Sequence, residues 1–337
     1  MTGGGAPGAA GILRCLQQNK SFHITTIDAN PGAVGRYLTT DFEVIPLATD
    51  PSFADTVLSL CRKKNIHVVL PLVTRELIPL SQRIKEFELA GAKLLVSPTP
   101  SLEIANNKSR LYEFLQWRGI PVPEFRGIET VEQFAAAMEE LGYPAKQICF
   151  KPSISNGSRG FRIVSNQMNQ LDLLFNHKPT STYLSLQDAL QILSTGIFPE
   201  LLMSEYLPGE EYSVDCLANQ GESVLIIPRL RKRMINGISV EGEFVKEDAI
   251  IAYCSQIIKE LQLHGNIGIQ VKKSSANQFL ILEINPRVQG TISAASGAGI
   301  NLPELAVKQE LGLPISSSEL EVKWGTRFSR YWNEVFY

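Results

Sequence analysis

The stretch LEINPRVQG, residues 282–290, sets a carboxylate at Glu283, a carboxamide at Asn285 and a guanidinium at Arg287, two residues apart, in a run that otherwise reads as a buried strand. Polar groups are costly to bury without partners, so this row asks for a ligand or for mutual hydrogen bonds. Just upstream, NIGIQVKKSSANQFLILEINP (266–286) reads as a hairpin of two alternating runs about Ser274–Asn277. With Lys273 opposite Gln278, Gln270 falls opposite Ile281. Alternation then places Gln270, Ile281, Glu283 and Asn285 on one face and Leu280, Leu282 and Ile284 on the other. Oxygens from Gln, Glu and Asn make a hard, weakly charged set. Such a set suits Mg²⁺, which takes its remaining ligands from water and phosphate. Arg287 would then face phosphate or an anionic substrate through its planar fork. The plainer alternative is a hydrogen-bonded polar cluster at a strand end.

Four further stretches carry polar groups at suggestive spacing. In KPSISNGSRGF (151–161), Lys151 ends a strand, and Ser153, Ser155, Asn156, Gly157, Ser158 and Gly160 form a loop. The amides of such a loop can turn toward phosphate oxygens. The loop lacks the GxxxxGK[ST] spacing of a P-loop, and a simple hairpin turn is the alternative. In SEYLPGEEYSVD (204–215), the backbone at Glu205, Tyr206 and Leu207 could meet an adenine edge and Glu211 could accept ribose hydroxyls. The alternative there is a strand–turn–strand with solvated acids. Lys108 stands alone in NNKSRLYEFLQWRGIPVP, where a helix lysine is usually solvated. In PRLRKRMINGISVEGE (228–243), Arg229, Arg231 and Arg233 alternate on one strand face, either for an acidic substrate or as a solvated face.

The elements that must hold these groups change character along the chain. Over the first ~97 residues, apolar strands (23–28, 42–47, 66–72, 93–97) alternate with helices (9–18, 52–64, 75–90), the pattern of a parallel doubly wound sheet. TGGGAPG should follow a first strand, but only Met1 precedes it. Later, helices near 106–118, 130–141, 185–194 and 247–262 interleave with strands at 147–153, 161–165, 201–207 and 223–228 and the final hairpin, an α+β pattern. The expected division is 1–100 and 101–337, with the second part split into a small lobe at about 145–206 and a large lobe at about 207–337.

Composition narrows the function classes. The 337 residues are 44% hydrophobic and 20% charged with net charge −2, which gives no basic surface for nucleic acid or membrane. No apolar run reaches membrane-spanning length, and the first residues do not read as a signal peptide. The five cysteines are scattered with no CxxC, as expected of reduced thiols in a cytoplasmic protein.

In order along the chain, Lys108, then Lys151 with its glycine loop, then EYLPGEE, then Gln270 with Glu283, Asn285 and Arg287 resemble the ATP-grasp superfamily, and within it the ATP-grasp half of the carbamoyl-phosphate synthase large subunit. The likeness runs from the TGGG loop and IDANP to SGAGINLPELAVKQELG. It implies a Rossmann-like pre-ATP-grasp domain followed by a two-lobed ATP-grasp fold. It implies that Lys108 and Lys151 bind ATP phosphates and that Glu205 and Leu207 frame adenine. It further implies that Glu211 holds ribose, that Gln270, Glu283 and Asn285 bind Mg²⁺ (or Mn²⁺ in its place), and that Arg287 stabilises the phosphate in transfer. The chain carries one ATP-grasp unit where the synthase has two, and Lys151 stands where the synthase has an arginine.

The expected activity is therefore an ATP-dependent ligase joining a small-molecule carboxylate to an amine or similar nucleophile through an acylphosphate, with a homodimer as one open assembly. Synthase-like phosphorylation of bicarbonate or carbamate, or a non-catalytic nucleotide-binding module, are the alternatives. A rival reading starts from Gly3–Gly8, which matches GxGxxG, with Asp28 located 20 residues on, as in a dinucleotide fingerprint. That reading leaves the whole back half without a role.

Overall fold

The computed structural model describes residues 1–155, 159–167, 169, 182–235 and 237–337. Contacts divide the chain into two compact units: Met1–Asn106, Glu211–Val271 and Glu283–Tyr337 form the first, and Asn107–Glu210 with Lys272–Leu282 the second.

The first unit begins with helix α1 (Ala9–Leu16) and strand β1 (Thr25–Asp28), followed by a short helix α2 (Gly35–Leu38) that the periodicity did not signal. Strand β2 (Asp41–Val44) pairs with β1 in parallel. Helix α3 (Phe53–Lys64) buries Phe53, Val57, Leu58 and Cys61 on one stripe. It ends at Asn65, whose φ of 52° stops the helix in the left-handed region. Strand β3 (Val68–Val69) runs parallel to β4 (Lys93–Leu94). Residues Met1–Gly4 take the place left for a first strand. Thr2 N donates to Leu70 O at 3.1 Å and Ile27 N to Met1 O at 2.9 Å, so the segment is bonded to both parallel pairs.

The helix expected over 75–90 is two, α4 (Thr74–Ser81) and α5 (Ile84–Leu89). Pro79 already removes one ladder donor inside α4. Arg83 then leaves helical geometry (φ −118°, ψ 16°), with its guanidinium held by Asp55 at 2.6 Å and Glu86 at 2.6 Å. Helix α6 (Thr99–Ala105) follows β4.

Helix α7 (Lys108–Trp117) opens the second unit and starts where Asn107 caps it, its side-chain oxygen accepting from Arg110 N at 3.1 Å. Five strands make one sheet in the order β5-β9-β6-β7-β8. They are β5 (Phe125–Ile128), β6 (Ile148–Pro152), β7 (Arg162–Val164), β8 (Tyr183–Leu184) and β9 (Leu201–Glu205). Helix α8 (Val131–Glu140), with the reciprocal Thr130–Gln133 cap, packs Phe134 edge-to-face on Phe150 at 5.2 Å.

The chain then returns to the first unit's long strands β10 (Glu211–Asn219), β11 (Glu222–Ile235) and β12 (Ile238–Phe244). Strands β13 (Gly265–Lys273), β14 (Phe279–Asn285) and β15 (Arg327–Ser329) complete a six-stranded sheet in the order β14-β13-β10-β11-β12-β15. Strand β11 runs well past the expected 223–228, because the arginine-rich segment continues as strand and pairs with β12. The hairpin turn also closes one residue beyond the expected pair. Ser274 N donates to Gln278 O at 2.8 Å, Asn277 N to Ser274 O at 3.0 Å, and Asn277 has φ 60°. This is a type I turn followed by a left-handed residue. Among the described residues, no helix is long and apolar enough to cross a membrane.

One buried acid in this frame gives a pH signature. Glu76, in the first turn of α4, is 6% exposed, and Thr2 Oγ1 donates to it. Burial raises its pKa from 4.5 to about 7, against the Thr2 bond. The folded chain keeps this proton to higher pH than the unfolded chain does. The contribution is therefore fully present below about pH 4.5 and lost as pH rises through about 7, at a plateau cost of about 3 kcal/mol. Glu76→Gln should raise the melting temperature over wild type more at pH 8 than at pH 5. Equal differences at both pH values would show that Glu76 does not titrate in this window.

Candidate active site

In the second unit the two lysines are drawn inward. Lys108 is only 5% exposed, against the usual fate of a helix lysine. Its amide donates to Ser153 O at 2.9 Å and its Nζ to Ser155 O at 3.0 Å, while Ser109 and Ser153 hydroxyls meet at 2.6 Å. The first turn of α7 is thus bonded to the chain that leaves Lys151. Lys151, in β6, donates from Nζ to Leu282 O at 2.9 Å, and Tyr112 OH donates to the neighbouring Ile281 O at 2.7 Å. Ile281, expected on the polar face, is fully buried. Tyr112, which sequence reasoning passed over, lies with its ring centroid 5.9 Å from Lys151 Nζ. Asn156, Gly157 and Ser158 lie outside the described residues. Gly160 has φ +77°, and a Cβ there would sit 2.6 Å from Pro152 Cδ.

Strand β9 ends in the expected adenine segment. Glu205 pairs with Ile148, and its carboxylate accepts from Glu124 N at 3.0 Å. Tyr206 N donates to Gln147 O at 2.8 Å, Leu207 is buried, and Lys272 Nζ lies 4.4 Å from the Tyr206 ring centroid.

In the first unit the polar groups form two bonded sets. Glu211 opens β10 and pairs with Arg231 of β11. The same Arg231 Nη1 lies 3.4 Å from Gln270 Oε1. Asn285 Nδ2 donates to Glu283 Oε1 at 3.3 Å, and Arg287 Nη2 donates to Asn285 Oδ1 at 3.3 Å. Arg287 also donates to Thr74 Oγ1 at 3.0 Å and Val288 O at 2.9 Å. Burial lowers its pKa, with Glu283 and Glu76 pulling the other way through space. Arg231 thus joins Glu211 to Gln270 and feels Glu283 through space, while the pairing register expected for the hairpin is shifted.

The arginine row is resolved differently from either reading of it. Arg229 is fully buried and bonds Asp215 at 3.1 Å and Thr291 Oγ1 at 2.7 Å. Arg231 is buried on Glu211, while Arg233 is exposed and pairs with Glu241 at 2.7 Å. Register shifts on either side of Arg233 break the regular alternation.

The glycine loop that suggested a dinucleotide fingerprint has a packing role. Gly5 N donates to Asp28 Oδ2 at 2.7 Å, so the acid of the fingerprint closes its own loop. Gly8 (φ +96°) lies so close to Gly290 that a Cβ would meet its carbonyl oxygen at 2.2 Å. Close backbone approach explains this glycine without a pyrophosphate.

As metal ligands, Gln270, Glu283 and Asn285 offer neutral and anionic oxygens. No group of three or more His, Cys, Asp or Glu side chains among the described residues could hold a metal ion. That donor chemistry fits a hard, partly hydrated ion and not a thiolate- or imidazole-bound one.

Two family models match parts of the chain. Residues 10–95 match the family described as PylC-like, N-terminal domain, and residues 197–331 match ATP-grasp in the biosynthetic pathway with Ter operon. The structure is similar to the N5-carboxyaminoimidazole ribonucleotide synthetase PurK in complex with ADP (TM-score 0.70, 16% identity, 95% of this chain and 78% of that one). It is also similar to the biotin carboxylase domain of the Hydrogenobacter thermophilus 2-oxoglutarate carboxylase, solved with MgADP, ADP and bicarbonate (TM-score 0.66, 16% identity, 94% and 71%). The chain has a Rossmann-like pre-ATP-grasp domain followed by the ATP-grasp fold. Within that class its sequence resembles the large chain of carbamoyl phosphate synthase. It is 26% identical over 324 residues to the arginine-specific large chain of Halalkalibacterium halodurans, covering 91% of this chain and 28% of that one. Against the large chain of Clostridium botulinum it is 24% identical over 325 residues, covering 90% and 27%. The chain thus spans about a quarter of the length of the curated relatives it matches.

Gly160→Ala tests the loop. The positive φ costs about 1–2 kcal/mol for a residue with a Cβ, and the clash with Pro152 adds to it. We expect lowered stability together with weakened nucleotide binding. A variant as stable as wild type in chemical denaturation would contradict the strained geometry at Gly160.

Proposed function

We propose that this chain is an ATP- and Mg²⁺-dependent ligase that joins a small-molecule carboxylate to an amine or similar nucleophile through an acylphosphate, releasing ADP and phosphate. The observation that carries this reading is Arg287. It is a largely buried guanidinium whose partners are the neutral Thr74, Val288 and Asn285, and among the described residues no carboxylate lies within ion-pair distance of it. A desolvated cation held only by neutral groups is suited to meet an anion. It sits two residues from Asn285 and four from Glu283, the oxygen row proposed for the metal.

Lys108 and Lys151 are assigned to the phosphates, Glu205–Leu207 to adenine and Glu211 to ribose. Gln270, Glu283 and Asn285 are assigned to Mg²⁺, which when bound neutralises phosphate charge. Arg287 orients the reacting carboxylate and phosphate. The chemistry needs no covalent protein intermediate. The five cysteines are buried without disulfides, and His264 is engaged by Glu310 at 3.0 Å. Catalysis is then mainly positioning and charge stabilisation in fixed geometry. The likeness to carbamoyl phosphate synthase large chains keeps bicarbonate or carbamate as the second candidate acceptor.

Two experiments test the reading. Glu283→Gln should abolish Mg-ATP turnover and leave the melting profile unchanged; undiminished turnover at saturating Mg²⁺ refutes the metal assignment. A substrate screen followed by turnover of ¹⁸O-labelled carboxylate should deliver one labelled oxygen to the released phosphate, with ADP as co-product. AMP and pyrophosphate, or label retained wholly in the product, would rule out the acylphosphate.

A further inference from the structure

Arg231 bonds both the proposed ribose acceptor and a proposed metal ligand. Its side chain is 4% exposed and that of Glu211 17%. One guanidinium bonds four acceptors: Nε donates to Ser239 Oγ at 3.0 Å, Nη1 to Glu211 and toward Gln270 Oε1 at 3.4 Å, and Nη2 to Gly237 O. Glu283 acts on it through space with the same sign as Glu211, and Arg229 with the opposite sign. A monovalent cation therefore stands among Glu211, Gln270 and Glu283, where the proposed reading calls for a divalent one.

We propose that Arg231 is the resident counter-cation of this oxygen cluster, displaced when the metal arrives with its nucleotide. The proposal rests on the metal and ribose assignments above. Its physical basis is competition. Gln270 Oε1 and the field of Glu211 and Glu283 satisfy the guanidinium, so a bare Mg²⁺ would have to shed water and meet a positive charge already in place. Nucleotide changes both sides of that balance. Ribose hydroxyls donate to Glu211 and so compete with Arg231 for its carboxylate, while phosphate oxygens supply the ligands and negative charge that the ion prefers. The chain would thus load metal together with ATP and not before it. Arg231 is a positioning residue in this scheme. It holds the oxygens in place and keeps the acids neutralised until the nucleotide is bound.

Mn²⁺ binding, read by electron paramagnetic resonance, tests the idea without turnover. Wild type should bind Mn²⁺ weakly alone and strongly with ATP. Arg231→Gln should bind nucleotide-free Mn²⁺ about ten-fold or more tightly than wild type, and Arg231→Lys, which keeps the charge, should stay near wild type. Mn²⁺ binding in Arg231→Gln that is equal to or weaker than wild type overturns the proposal. Absence of ATP-dependent Mn²⁺ binding in wild type overturns the metal assignment itself, and this proposal with it. Should Arg231→Gln fail to fold, the wild-type chain carries the test alone through ¹⁵N-arginine exchange. The Arg231 Nη1 hydrogens, which bond Glu211 and point toward Gln270, should be protected without ligand and exchange faster with Mg-ATP bound. Unchanged protection with Mg-ATP bound overturns the proposal.

Discussion

Charge buried in a sheet is the constraint around which the first unit is organised. Arg229 and Asp215 are both wholly excluded from solvent, and Arg229 also reaches Thr291 in the turn that follows Arg287. A buried ion pair adds little net stability, because desolvation cancels much of the attraction. Losing one partner is severe, since the other charge is left uncompensated. The pair therefore acts as a fixed reference. It demands that β10, β11 and the 286–291 turn meet in one arrangement, and that arrangement sets where Arg287 stands. Gly290 adds a second condition, because its packing on Pro7 and Gly8 leaves no room for a Cβ at Gly290 or at Gly8.

The second unit solves a different problem, the placement of long flexible cations. Lys151 and Tyr112 bond consecutive carbonyls, those of Leu282 and Ile281, so the middle of β14 is held just before Glu283 in the chain. Lys108 is held at the head of α7 by a cap on one side and by serine oxygens on the other. Each lysine is led inward, the Lys108 amine to Ser155 O and the Lys151 amine to Leu282 O.

How much of this was legible in the chain differs by element. Alternation and apolar periodicity revealed α3, β6, β9 and the terminal hairpin, because burial on one face or both leaves a direct mark on residue order. The break at Gln82–Arg83 was not marked that way, since it goes with Pro79 and with an Arg83 guanidinium held by Asp55 and Glu86, which apolar periodicity does not report. The hairpin register differs by one residue from the expected one. Ser274 joins the ladder opposite Gln278 and leaves a turn of three residues, and no periodicity signals that Asn277 takes the left-handed conformation that closes it. For the site, residue type and order along the chain pointed to Lys108, Lys151, Glu211, Gln270, Glu283, Asn285 and Arg287, but Tyr112 carried no signal in the sequence.

The sequence by itself determined the chemistry on offer: hard oxygen donors at Gln270, Glu283 and Asn285, cations at Lys108, Lys151 and Arg287, and an order of elements that admits few folds. It could not assign partners. Arg229, Arg231 and Arg233 look equivalent along the chain, yet the tertiary structure buries the first on Asp215, sets the second on Glu211 and Gln270, and leaves the third in solvent with Glu241. The reason is physical. A strand's own residues specify only which way side chains alternate, whereas burial and ion pairing depend on the neighbouring strands. In β11 those neighbours are the adjoining strands β10 and β12, and the register shifts beside Arg233 decide which of their residues each arginine meets.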